Sequence, residues 1–363
     1  MKKFLTILVI AVISSSLYFC NISFSSDASR LNKPIRIGYF DGGRVHLFWR
    51  AYINKYFDDV GVNVELYTKY LKEKGLHKVP RDFEGIQRKS LVDGEKTYFG
   101  KQTGTEIIEA MLRGDLEGGT VGESSFIQAI SNNSPIVAVA KLGHETINGP
   151  AKAIAIRKDV IINTPHDFKG KILITRRSGP IDAIILREFI ESIGLDPEKD
   201  LTIIDQIPDD KQEEFLKEKK IHGGIFHLHK LASIVKKDLA YIYRKMDWIN
   251  PEISQGLLVF RKDFVETYPQ EVKKIIRSYM KRIKYEQGIP EEEKIKEKRY
   301  GLQMVLYFQG MSLPQYDYPP LVSPDLLNEA QSLLLKYKFI DKKIDLTKFI
   351  NNGFVKELYE ELK

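Results

Sequence analysis

Two strands with the same ending constrain this chain more than any other feature. AKAIAIRKDVII and QGLLVFRKDFV each run from apolar residues into Arg-Lys-Asp, and about a hundred residues separate them. The stretch between them carries its own alternation: the strand KILITR, a helix over 180–194, the strand LTIIDQI, the helical DDKQEEFLKEKK and the strand GGIFHL. Strands alternating with helices predict a parallel sheet covered by helices. A full α/β unit bracketed by two matching strands reads as one lobe inserted into another, with those strands as the connecting hinge. The expected limits are 31–156 and 257–363 for the first lobe and 157–256 for the second.

The outer part keeps the same rhythm. IRIGYF (35–40) ends at Asp41-Gly42-Gly43 and passes into a helical pattern through Phe57, and VNVELY (62–67) is the next strand. A capped helix is expected from Thr105 to Arg113, then a strand before Gly122, the helix SSFIQAISNN and the strand PIVAVAKLG. Residues 69–102 turn polar around Pro80, Gly85 and Gly94 and read as an insertion, a flap near the first lobe's edge. From Tyr268 onward the chain is almost all helix and is expected to pack back on the first lobe.

At 363 residues the chain is long enough for two lobes, and its 43% hydrophobic and 29% charged content is that of a globular protein. Lys2 and Lys3 precede the apolar FLTILVIAVI, with Ser23-Phe24-Ser25 at a suitable cut site, so residues 1–25 read as a secretory signal peptide. The expected location is periplasmic or extracellular, with a retained N-terminal anchor over 4–20 as the alternative. Cys20 is the single cysteine, which leaves no internal disulfide; bulky Tyr18 and Phe19 before it argue against lipid attachment there. The net charge is +7, and +5 once Lys2 and Lys3 leave with the leader. Basic residues interleave with acidic ones, as in PEEEKIKEKRY, and no basic stripe with aromatics appears, so nucleic acid is not expected as a partner.

The ordered set GYF, TEIIEAMLRGDLEGGTVGESSFIQAI, AIAIRKDVIINTPHDFKGKILIT, LREFIESIGLDPEKDLTII, LLVFRKDFVETYPQEVKKII and SPDLLNEAQSLLLKYKFIDKKIDLTKFINNGFVKEL resembles a known family. It is similar to the periplasmic substrate-binding proteins of ABC importers for nitrate, taurine, alkanesulfonates and thiamine-pyrimidine precursors. The resemblance spans roughly residues 33–360. It implies a type II periplasmic-binding fold: two α/β lobes, a two-segment hinge, and C-terminal helices packed on the first lobe. It also implies an ABC permease as membrane partner and a monomeric binding protein. Two features depart from the pattern. The 69–102 insertion is longer than usual, and the cysteine cluster of the pyrimidine-synthesising relatives is missing.

In open α/β sheets, ligands collect beyond the carboxyl ends of strands, and four such corners can be read. The first is Phe40-Asp41-Gly42-Gly43-Arg44-Val45-His46, where glycines let the backbone approach a ligand and Arg44 or His46 can contact it; Asp41 also suits a helix cap. The second is Glu123-Ser124-Ser125, whose hydroxyls can donate to an oxyanion or cap a helix, while Glu123 repels a bare anion unless it meets an amine or an arginine. The third is Arg176-Arg177-Ser178-Gly179 ahead of a helix start, a setting for bidentate binding of an oxyanion. Alternation sends only one of the two arginines toward a cleft, and Asp182 is placed to cap the helix or pair with that arginine. The fourth is GGIFHLHK, where His227 is a ligand or interlobe contact. His227 and His229 are two apart, which on a strand is one face, yet two histidines do not complete a metal site. Phe226 and Trp248 are either an aromatic wall or core.

No nucleophile elbow, P-loop or zinc-protease motif is present, and neither a cofactor nor a metal is expected. The expectation is therefore a non-enzymatic binding protein. Its ligand would be a small anionic or zwitterionic nutrient, sulfonate-, nitrate- or taurine-like, held between two lobes and delivered to the permease. An enzyme of dehydratase or lyase type on the same scaffold, and a ligand sensor for a pyrimidine-like compound, are the alternatives.

Overall fold

The computed structural model describes residues 31, 33–40, 42–69, 75–81, 103–176, 180–290, 292, 310–312 and 314–363. The expected leader therefore lies outside the described residues, as do Asp41, Arg177, Ser178 and Gly179.

One sheet has six strands in the order β3-β2-β1-β4-β11-β5. They are β1 (Ile35–Gly38), β2 (Val64–Thr68), β3 (His77–Lys78), β4 (Gly118–Gly122), β5 (Ile136–His144) and β11 (Gln255–Arg261). The other has five, in the order β10-β6-β9-β7-β8: β6 (Lys152–Arg157), β7 (Ile172–Arg176), β8 (Thr202–Ile207), β9 (Gly223–His227) and β10 (Ala240–Lys245). Helices α1 (His46–Ile53), α2 (Gly104–Leu112) and α3 (Glu123–Ser131) cover the first sheet; α4 (Pro180–Ser192), α5 (Asp209–Lys217) and α6 (Leu228–Lys236) cover the second. The chain closes with α7 (Lys262–Thr267), α8 (Pro269–Gly288), α9 (Pro324–Lys336) and α10 (Gly353–Leu362). Helix α2 begins one residue earlier than the sequence reading has it. Thr103 is its cap, accepting from the Glu106 amide while the Glu106 carboxylate accepts from the Thr103 amide, a reciprocal arrangement that satisfies two exposed donors.

The two Arg-Lys-Asp strands do not form the hinge themselves. β6 pairs with β9 and β10, whereas β11 pairs with β4 and β5, so each strand sits inside a different sheet. This also corrects the first lobe border: β6 belongs to the second sheet, and the chain crosses between sheets over 145–151 and returns over 246–254. The shared motif has a local purpose. At each strand end the arginine Nε donates to the aspartate two residues on, Arg157 to Asp159 at 2.5 Å and Arg261 to Asp263 at 3.1 Å. Strand starts, not strand ends, lie at the crossovers.

The described part of the polar insertion adds β3 antiparallel to β2 at the sheet's edge, and the Tyr52 hydroxyl donates to the Val79 carbonyl at 3.1 Å. On one face of the first sheet, Phe48, Trp49 and Phe57 pack with Tyr279 and Ile283 of α8 and Leu358 of α10. A separate cluster with Phe226, Leu231 and Ile234 lies under α6. The third apolar cluster joins Val121, Phe126 and Leu257 of the first lobe to Ile154, Leu173 and Ile225 of the second, through Leu327 and Leu334 of α9. The C-terminal helices thus do more than pack on the first lobe. No helix among the described residues is long and apolar enough to cross a membrane.

Glycine pairs Gly118-Gly119 and Gly223-Gly224 occupy interior strands of the two sheets. A Cβ on Gly118 would meet the Val259 carbonyl oxygen at 2.8 Å, and one on Gly224 the Ile174 amide nitrogen at 2.9 Å, whereas Gly288 has nothing within 4 Å. Gly118→Ala and Gly224→Ala are each expected to lower unfolding free energy by about 1–3 kcal/mol through overpacking. Urea denaturation checks this, with Gly288→Ala as the variant that loses nothing.

Candidate functional site

Strand direction brings the two sheets' business ends together. β1 runs parallel to β2 and β4, and β11 runs against β4 and β5. β7 runs parallel to β8 and β9, while β6 runs against β9 and β10. Since β5 leads into β6 and β10 into β11, the carboxyl ends of the parallel strands in both sheets face the crossovers. That is where the general rule for α/β sheets places a ligand.

A continuous line of buried charge occupies this region. Arg44 Nη1 donates to Glu123 Oε2 at 2.8 Å and to the Gln255 carbonyl at 3.2 Å, and the Gln255 amide donates to the same Glu123 oxygen at 3.0 Å. Next to Gln255, the Ser254 carbonyl accepts from the Glu145 amide at 3.0 Å. Lys152, wholly buried, donates to Ser254 Oγ at 2.9 Å and pairs with Glu145 Oε1 at 2.9 Å. Its Nζ also lies 3.5 Å from Asp182 Oδ1. Arg176 Nε closes on Asp182 Oδ2 at 2.5 Å, and His227 Nε2 stands 3.7 Å from Asp182 Oδ1. Three cations, Arg44, Lys152 and Arg176, thus meet three carboxylates, Glu123, Glu145 and Asp182.

The electrostatics follow from that packing. Burial by itself would raise the Asp182 carboxyl, but Arg176 and Lys152, with the nearby His227, hold it well below its ordinary 3.8. Burial, then Arg176 and Lys152, push the His227 imidazole well below 6.5 against the pull of Asp182. The imidazole is therefore neutral at physiological pH, and among the described residues of this line the formal charge is balanced.

Of the residues singled out from sequence, the structure joins Arg44 with Glu123, and Arg176 with His227 through Asp182. The pairing of Glu123 with an arginine resolves the conflict that its charge posed. Gly42 precedes the 3-10 turn Gly43–Val45, where a Cβ would run into the Phe40 ring at 2.5 Å. His46 opens α1 with its ring 5.1 Å from that of Trp49, within the first lobe's packing. Ser124 and Ser125 are buried, but Gly122 is the residue that precedes α3, so neither serine caps it. Ser125 packs on α2: a Cβ on Gly104 would sit 2.8 Å from its Oγ. His229 lies on α6, not on a strand, because β9 ends at His227, which removes the basis for a same-face histidine pair. Phe226 is core, and Trp248 packs on Phe189 with its Nε1 donating to the Ile185 carbonyl at 3.0 Å, so neither is a ligand wall. No group of three or more metal-ligating side chains occurs among the described residues.

The crossover residues Glu145, Lys152, Ser254 and Gln255 went unmarked in the sequence reading. The signal for Lys152 was present: a lysine inside AKAIAI is a charge in an otherwise apolar strand, and such a residue needs a buried partner.

The NMT1/THI5-like family model matches residues 98–293, more than half of the chain. The chain belongs to the NMT1/THI5-like family. No curated protein sequence matches it. Among solved structures it is similar to the ligand-binding component of an ABC-type import system from Staphylococcus aureus with zinc bound, at TM-score 0.65 and 15% identity over 90% of this chain and 99% of that one. A putative sulfonate ABC transporter protein, the periplasmic sulfonate-binding SsuA of Methylobacillus flagellatus, matches at 0.63 and 15% over 91% and 94%. The periplasmic nitrate-binding protein NrtA of Synechocystis matches at 0.63 and 11% over 91% and 89%. The same fold also carries an enzyme, the desulfurization enzyme DSZB, at 0.56 and 10% over 91% and 100%. The NMT1/THI5-like chain therefore has the two-lobed periplasmic-binding fold.

The Asp182–His227 pair gives this family member a pH signature with a fixed sign. Below the unfolded value of 6.5 the unfolded chain takes up a proton that the folded His227 refuses, so stability falls as pH drops. Asp182 acts in the same direction: its contribution is present above 3.8 and is lost as pH falls through its lower folded value. The melting temperature is expected to decline from pH 6.5 to about pH 5, with His227→Gln flattening that decline. Melting curves across this range decide it; an equal slope in the variant would assign the decline to other groups.

Proposed function

We propose that this chain is the extracytoplasmic solute-binding protein of an ABC importer. It closes two lobes over a small solute and presents the closed form to a membrane permease. The carrying observation is the charge-balanced line from Arg44 to His227 at the meeting of both sheets' strand ends. The lobes are the two sheets with their helices, and the hinge is 145–151 with 246–254. The fold is that of proteins named for sulfonate and nitrate binding, which supports capture over turnover.

Charge balance narrows the solute class. A bare anion would have to draw Arg44 or Arg176 away from a resident carboxylate, whereas a zwitterion can meet both signs at once. The favoured solute is an aminosulfonate or amino-carboxylate of taurine-like size, ahead of nitrate or a simple sulfonate. Closing works by differential affinity, because only the closed state collects contacts from both lobes.

A thermal-shift panel of taurine, alkanesulfonates, nitrate, dicarboxylates and pyrimidines on the leader-free protein tests this reading. The zwitterion is expected to stabilise most, a ligand at a hundred times its Kd adding about 2.7 kcal/mol. Arg176→Ala should weaken binding of that ligand by about tenfold or more, the value of a charge-assisted hydrogen bond. No shift with any member, or an unaffected Arg176→Ala, would remove the support for this site. Chemical conversion of a bound compound during incubation would favour an enzyme of the DSZB fold instead.

A further inference from the structure

A two-lobed clamp joined only by two crossovers swings freely, and this one carries a third connection. α9 packs against α3 of the first lobe and α4 of the second, as well as the 3-10 turn Pro251–Ile253 on the return crossover. Leu327 and Leu334 put it in an apolar cluster that takes in many residues of both lobes. Polar contacts fix its end to the second lobe: Lys336 Nζ lies 2.5 Å from Glu188 Oε1 and 2.7 Å from Glu191 Oε2, and the Tyr337 hydroxyl donates to Glu191 at 3.0 Å. Asn250 Nδ2 donates to Glu329 of α9 at 3.1 Å.

We propose that α9 is a brace that sets how far the lobes open. With one face stapled by α3, α4 and α9, opening must pivot along that seam, and α9 must release either α3 or α4 for a wide swing. Lys336 is the release point, because its two carboxylate partners lie on the lobe that moves and its surroundings are partly open to water. The brace acts whatever solute the cleft takes, so its test stands apart from the ligand assignment.

The experiment measures lobe separation in the full leader-free chain, using spin labels on cysteines introduced at the exposed Leu112 of the first lobe and Ile161 of the second. Lys336→Glu, which sets three acidic groups together, is expected to raise the population of long inter-label distances about fivefold, close to 1 kcal/mol. The charge-swapped Lys336→Glu with Glu188→Lys and Glu191→Lys should restore the parent distribution. An unchanged distribution in Lys336→Glu, with melting showing the chain folded, would overturn the brace. Failure of the swapped variant to restore the distribution would overturn the assignment of Lys336 as its release point.

Discussion

The arrangement depends on one lysine held out of water. Lys152 begins β6 at the point where the chain enters the second sheet. Its ammonium reaches Ser254 on the returning crossover, Glu145 on the outgoing one and Asp182 at the head of α4. A buried ammonium is tolerable only with such partners, and each partner is fixed by a different segment. The two crossovers and the second lobe's first helix therefore have to be in register for the charge to be satisfied. Asp182 is held ionised by Arg176 and Lys152, while burial and those same two cations keep His227 neutral beside it, against the pull of the carboxylate. The hinge and the site are in this sense one construction.

Much of the fold was legible because strand and helix periods differ and the turn residues mark where one gives way to the other. IRIGYF, KILITR and GGIFHL all became strands, and 180–194 became α4 with a shorter C-terminal end. The matching Arg-Lys-Asp endings pointed to a two-part body but misplaced the hinge. The motif's visible chemistry, an arginine two residues before an aspartate, serves a strand terminus, and the crossovers attach at the opposite ends. A period-two pattern tells which residues line a face; it does not tell which sheet a strand joins, since that depends on pairing partners far along the chain. The histidine pair failed for a related reason: the change from strand to helix falls between His227 and His229.

At the site, the sequence favoured residues at glycine-marked corners and found Arg44, Glu123, Arg176 and His227 there. It missed the crossover residues because Glu145 and Ser254 have no turn chemistry of their own. Their meaning appears only when segments more than a hundred positions apart lie side by side, as with Lys152 and Ser254. The serines at 124 and 125 illustrate the opposite error, since a hydroxyl near a helix start need not be the cap when a glycine takes the preceding position. Reading the corner as basic was right about residue type, but every described cation there has a carboxylate against it.

The apolar cluster shared by both lobes has a consequence for how the molecule comes apart. Each lobe has a cluster of its own, but Val121 and Phe126 belong to the same packed body as Leu173 and Ile225, and Leu334 is part of it. Loosening either half exposes oil-like surface on the other. Heat should therefore dissolve the protein in a single calorimetric event, and a fragment cut at the crossovers would keep its own cluster but lay bare its share of the common one.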